Sequence, residues 1–154
     1  MTSPTFRNGG TLPSSSAAVE CGGKNVTPAL EWRHVPAATL SLAIMAFDTN
    51  ATTSRHYWRW FVYDLPHGTR RVEASAGGAK LPAGAVRGTT VDGGRYFAGL
   101  CPEKNAPHRL VFGVYALHVL PVPISPTAAP AAIATIITRY AIASGRITGT
   151  LSAP

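Results

Sequence analysis

Ser41-Leu-Ala-Ile-Met-Ala-Phe47 is an almost unbroken apolar run. Such a run is stable only when covered on both of its faces, so it reads as the central strand of a buried sheet. Two further segments share this character. Tyr57 to Leu65 is aromatic and β-branched and ends at Pro66 and Gly68, which marks a second central strand. Arg109 to Val119 is the third, and its Gly113 predicts a bulge or a close backbone approach.

The segment from Pro66 to Pro107 is rich in Gly and Pro and offers only short strand-like pieces, Val72–Ala74 and Arg95–Phe97. A loop this long in a compact domain is usually functional. Residues 131–143 place apolar side chains at Ile133, Ile136, Ile137 and Tyr140, the spacing of an amphipathic helix stopped by Gly145. Arg146 to Leu151 then returns as a strand. With no internal repeat or linker, residues 1–154 are expected to form a single domain, with residues 1–5 loose. Strands separated by Gly/Pro loops, short helical turns and one C-terminal helix predict a mainly β protein, an antiparallel sandwich.

Charge excludes several functions. The formal charge of +7 reflects scarce acids, 7 against 14 Lys and Arg. The bases are scattered, and Arg70-Arg71 is their longest run, so no nucleic-acid surface is expected. No apolar stretch reaches membrane-spanning length. Met1 to Arg7 lacks the apolar core of a signal peptide, which predicts a cytoplasmic protein; Cys21 and Cys101 could pair, but without an export signal they are expected to stay reduced. His34, His56, His67 and His118 are too dispersed to hold a metal. Neither a P-loop nor a dinucleotide fingerprint is present, and no cofactor is expected.

Four segments in order carry a resemblance. They are Asn25-Val-Thr-Pro-Ala-Leu-Glu-Trp32 with Val35-Pro36; Phe47-Asp-Thr-Asn-Ala-Thr52; Trp58-Arg-Trp-Phe-Val-Tyr-Asp-Leu-Pro66; and Gly99…Pro102…Pro107-His-Arg109 leading into Phe112–Leu117. Together with Ala141-Ile-Ala-Ser-Gly-Arg-Ile-Thr-Gly149 they resemble the bacterial branch of the phosphatidylethanolamine-binding (Raf-kinase-inhibitor-like) family. The resemblance implies a Greek-key β-sandwich with a small preformed anion pocket at one end. That pocket would be lined here by Asp48, Asn50, Thr52, Trp58, Arg59, Gly99, Cys101, Pro102, His108 and Leu110. The chain departs from the family pattern at Thr49, Asn50 and Thr52 in the acidic loop, at Arg59 in place of the strand His, and at Leu110 in place of Tyr.

Each site residue has two readings. Asp48 orients His108 or accepts a proton; otherwise it caps its loop by accepting backbone N–H bonds. With Trp58 and Trp60 on one face of the strand, Arg59 faces the pocket and grips an anion bidentately, unless it pairs with Asp48 or lies in solvent. His108 binds an anion or works as acid/base, or is structural. Arg109 is expected in a structural salt bridge. Cys101, with no base beside it, reads as a packing residue. Function follows as the binding of a small organic or anionic ligand. The alternative is a cofactor-independent cyclase of a biosynthetic pathway, with Asp48, His108 and Arg59 as its catalytic groups. A homodimer or protein-interaction role comes third, with Leu120–Ile124 as its surface.

Overall fold

The computed structural model describes residues 1–53 and 57–153; His56 lies outside them. The three long apolar segments form β3 (Ser41–Asp48), β4 (Trp58–Pro66) and β8 (His108–Leu117). Around them lie β1 (Val26–Thr27), β2 (Leu30–Glu31), β5 (Arg71–Val72), β6 (Ser75–Ala76), β7 (Val86–Arg87) and β9 (Ala141–Leu151), with one helix, α1 (Pro130–Tyr140). The main sheet is antiparallel in the order β7-β4-β3-β8-β9.

Every residue of β3 is buried, because the sheet is covered on both sides. Leu42, Ile44 and Ala46 point into one core, joined by Trp60, Val62, Leu110, Phe112 and Val114. The cover on that side is the N-terminal segment (Phe6, Leu12), the ladders β1-β6 and β2-β5, and the Phe97–Leu100 stretch. Ala43 and Met45 point the opposite way, into a core shared with Phe61, Tyr63, Tyr115 and Leu117 and closed by Ile133 and Ile137 of α1. A Cβ at Gly113 would lie 2.8 Å from the Tyr115 ring, so the glycine makes room for that tyrosine. The fold is mainly β, and the layer facing the large sheet is built from two-residue ladders and loops rather than from a second long-stranded sheet.

Four expectations change. The helix ends at Tyr140 rather than near Ala143, because Ala141–Gly145 pair with Val114–Leu117 of β8 and the ladder outweighs helix propensity. Residues 1–5 are tied down: Thr2 and Glu31 exchange backbone N–H···O bonds of 2.8 and 2.9 Å, and the Ser3 hydroxyl donates to Ala29 O. Arg95–Phe97 is not a strand, although the Phe97 N–H donates to Gly77 O. Cys21 and Cys101 form a disulfide, so Cys101 is neither a free thiol nor a packing residue. The turns that carry them are already paired, through the Ala18 N–H to Leu100 O at 2.9 Å, which brings two thiols 80 residues apart into reach.

Tyr63 gives this core a signature at alkaline pH. Burial first, and repulsion by Asp64 second, push its phenol up from 10.0 to about 12. The folded state therefore holds this proton more tightly than the unfolded chain. Its contribution is intact below pH 10 and is lost as pH rises toward 12. Denaturant titrations at pH 9 and pH 11 should show a smaller drop for Tyr63→Phe than for the parent protein; equal drops would remove Tyr63 from the account.

Candidate functional site

Asp48 closes β3, and its side chain is fully buried. One carboxylate oxygen accepts the Asn50 backbone N–H at 2.9 Å, and the other lies 2.6 Å from His108 Nδ1 at the start of β8. The carboxylate therefore bonds its own loop and the histidine ring at once. The loop is pinned to β8 as well. Asn50 Oδ1 accepts the Arg109 N–H at 2.8 Å, and Thr49 N–H donates to Arg109 O at 2.9 Å. Arg109 thus acts through its backbone, and no salt bridge to it is found among the described residues.

Arg59 is buried, 8% exposed, and owes its direction to a shift of register. Ala46 pairs with Trp60 and Phe47 with Trp58, so Arg59 is an extra residue on β4. Bulges of this kind re-aim side chains beside functional sites. The two tryptophans consequently face opposite cores, Trp60 toward the ladders and Trp58 against Phe61 under α1. The expectation that they share a face does not hold, yet Arg59 still reaches the predicted place.

The Arg59 guanidinium is loosely engaged. Its contact to Asp48 is 3.9 Å, its bond to Gly99 O is 3.4 Å, and its buried Nε has no partner among the described residues. Burial pulls its pKa below the usual range, with Asp48 and then Asp92 opposing that shift. Gly99 is itself held by Asn25, whose Oδ1 accepts the Gly99 N–H at 2.9 Å. A Cβ on Gly99 would fall 2.5 Å from that oxygen, so only glycine fits.

These groups surround a cleft of about 880 Å3. Asn50, Thr52, Arg59, Gly99, Cys101 and His108 line it, as expected, with Asp48 behind His108. Trp58 borders a different cleft beside α1, Leu110 is fully buried in the core, and Pro102 is buried outside the lining. Three of the further lining residues are acidic: Glu20, Asp92 and Glu103. With Asp48 they are four of the chain's seven acids, gathered at one cleft of a protein with charge +7. The disulfide explains part of this, since Glu20 precedes Cys21 and Glu103 follows Cys101 by two residues. An acid beside each cysteine was the available signal.

The model for the family described as phosphatidylethanolamine-binding protein matches residues 2–152. The chain belongs to the phosphatidylethanolamine-binding protein family. Among curated proteins it is similar to YbcL of Escherichia coli K12, 33% identical over 96% of this chain and 84% of that one. It is also similar to YbhB of the same organism, 30% identical over 96% of both chains. The crystal structure of Escherichia coli YbcL, described as a member of the mammalian family, superposes with a TM-score of 0.91 at 32% identity, over 99% of this chain and 97% of that one. The family match covers the bulged β4, the Asp48 loop and the start of β8, three of the elements that line the cleft.

Proposed function

We propose that this member of the phosphatidylethanolamine-binding protein family binds a compact small molecule in the Asp48/Arg59/His108 cleft, with an anionic group of the ligand on Arg59 and His108. The observation that carries this reading is the Arg59 guanidinium, which lines the cleft with only a 3.4 Å bond to Gly99 O and a 3.9 Å contact to Asp48 among the described residues. A largely buried cation so weakly engaged is costly, and a ligand oxygen on the cleft side of the guanidinium would relieve part of that cost. With both ring nitrogens protonated, His108 donates Nδ1–H to Asp48 and has Nε2–H on the other edge of the ring to donate to an anionic ligand. The acids Glu20, Asp92 and Glu103 favour a ligand whose remainder is neutral or cationic.

One observation favours a second reading, the cofactor-independent cyclase. When Nδ1–H donates to a buried carboxylate, Nε2 carries the lone pair of a general base, and Arg59 can stabilise developing negative charge nearby. The Cys21–Cys101 bond also supports an oxidising compartment over the cytoplasm expected from reduced thiols.

Titration calorimetry with inorganic phosphate and small phosphomonoesters tests the binding reading. Arg59→Ala should weaken affinity at least tenfold, the scale of one charge-assisted contact. Arg59→Lys should recover only part of it, because the fork is lost. Wild-type affinity in a folded Arg59→Ala protein would remove this residue from the site.

A further inference from the structure

β9 is the outer strand of the main sheet, with β8 on one side, and its other side is only partly covered. The N-terminal segment pairs with one stretch of that edge. Gly9 N–H donates to Thr148 O at 2.6 Å, Leu12 N–H to Thr150 O at 2.8 Å, and Thr150 N–H to Gly10 O at 2.8 Å. Asn8 Oδ1 accepts the Thr148 N–H at 2.9 Å. The even-numbered residues there aim their backbone groups away from β8. The pairing with β8 runs without a shift from Leu151 back to Ala143, so Ser144 and Arg146 aim theirs the same way. Both residues are exposed, and their outward groups have no backbone partner among the described residues.

Beside this open edge the sheet surface is hollow. Ala143 and Gly145 lie opposite Ala116 and Val114 of β8, and their small size leaves a cleft of about 250 Å3 over Leu42, Val114 and Ala116. Arg33 and His34 stand at this cleft, and none of its described lining is acidic. Glu31 lies in the adjoining groove, with Arg70 and Arg71. The cleft shares no lining residue with the Asp48/Arg59/His108 site, so either can fail without the other.

We propose that the 144–146 edge takes an extended segment of a partner polypeptide as a further strand, with an apolar side chain of that segment in the adjoining cleft and an acidic residue beside Arg33. The backbone selects this occupant. Outward N–H and C=O groups repeating about every 7 Å along a strand are matched by another main chain. Residues 8–12 already use the same edge in this way, beginning two residues further along. In strand addition the main-chain bonds supply affinity, and a pocket for alternate side chains supplies specificity. A second copy carries the same +7 charge and is repelled, whereas an acidic segment is attracted.

NMR of the full chain tests the proposal. In the free protein the Ser144 and Arg146 amides should exchange with solvent much faster than those of Thr148 and Thr150. The probe is the peptide Glu-Thr-Val-Thr-Leu-Thr-Val-Glu, which should shift and protect the Ser144 and Arg146 amides with half-saturation below about 1 mM. The amide of His108 should not move. Ser144→Pro removes only the outward N–H and should weaken binding at least tenfold, while Ser144→Ala keeps that donor and should bind as the parent does. Gly145→Leu should weaken binding similarly by filling the cleft. A Cβ there stands 3.5 Å from Met1 Cβ and 3.7 Å from Val114 Cγ1, so the backbone accepts it. Protected Ser144 and Arg146 amides in the free protein overturn the proposal. So does an absence of peptide binding, or binding indifferent to both Ser144→Pro and Gly145→Leu. If the peptide is ignored and Ser144→Pro abolishes a self-association seen by analytical ultracentrifugation, the occupant is a second copy and the partner-segment reading fails.

Discussion

Replacing Cys21 and Cys101 together with serine should lower the unfolding free energy by about 4.5 kcal/mol, the loop-entropy value for a bond closing 80 residues. A domain of this size has roughly 5–15 kcal/mol in total. The variant should therefore be folded but marginal, with a greatly reduced urea midpoint. The loss acts mainly through the unfolded state, because the turns that the bond joins retain backbone contacts: the Ala18 N–H on Leu100 O and the Asn25 N–H on Ala17 O. Reducing the wild-type bond should reproduce the same shift. An unchanged midpoint in both experiments would show that the two sulfurs do not constrain the chain. The cleft should be affected as well, since the bond fixes the wall that carries Glu20, Cys101 and Glu103.

The second large effect is at Asp48. Asp48→Ala should cost about 3 kcal/mol or more, the penalty for breaking a buried charged network from one side. It removes the acceptor of the Asn50 N–H and of His108 Nδ1, and it leaves the buried Arg59 without its nearest counter-charge. Asp48→Asn is the sharper probe. Its Oδ1 can keep the Asn50 bond, so the loop should hold and stability should fall by only about 1 kcal/mol. Its amide, however, presents a donor where His108 met an acceptor, and the ring must change tautomer. Under the cyclase reading, which needs the Nε2 lone pair, activity should therefore drop more than stability does. A urea midpoint for Asp48→Ala equal to that of the parent would show that the carboxylate stabilises nothing.

The sheet was legible in the sequence because its three central strands are buried on both faces, and continuous apolar runs such as Ser41–Phe47 leave little choice. The end of the helix was not. Ala141 to Gly145 suit a helix locally, and only the facing β8 residues make them strand. The candidate cleft was legible through its motif order, because Asp48, Asn50, Arg59, Gly99 and His108 meet there in the fold. The side-chain directions on β4 were harder, because alternation places Trp58 and Trp60 together and one bulged residue separates them. Leu110 could not be told from a lining residue by position alone; in the fold it points into the core. The acidic rim depends on a bond between cysteines 80 residues apart, and a thiol taken as reduced hides it.

The most direct test of the account is a crystal structure of protein purified without phosphate and then soaked with a small phosphomonoester. The anion should lie in the Asp48/Arg59/His108 cleft, with an oxygen about 3 Å from the Arg59 guanidinium and another facing His108 Nε2. An Arg59 guanidinium swung into a close bidentate pair with Asp48, with the anion absent from the cleft, would contradict it.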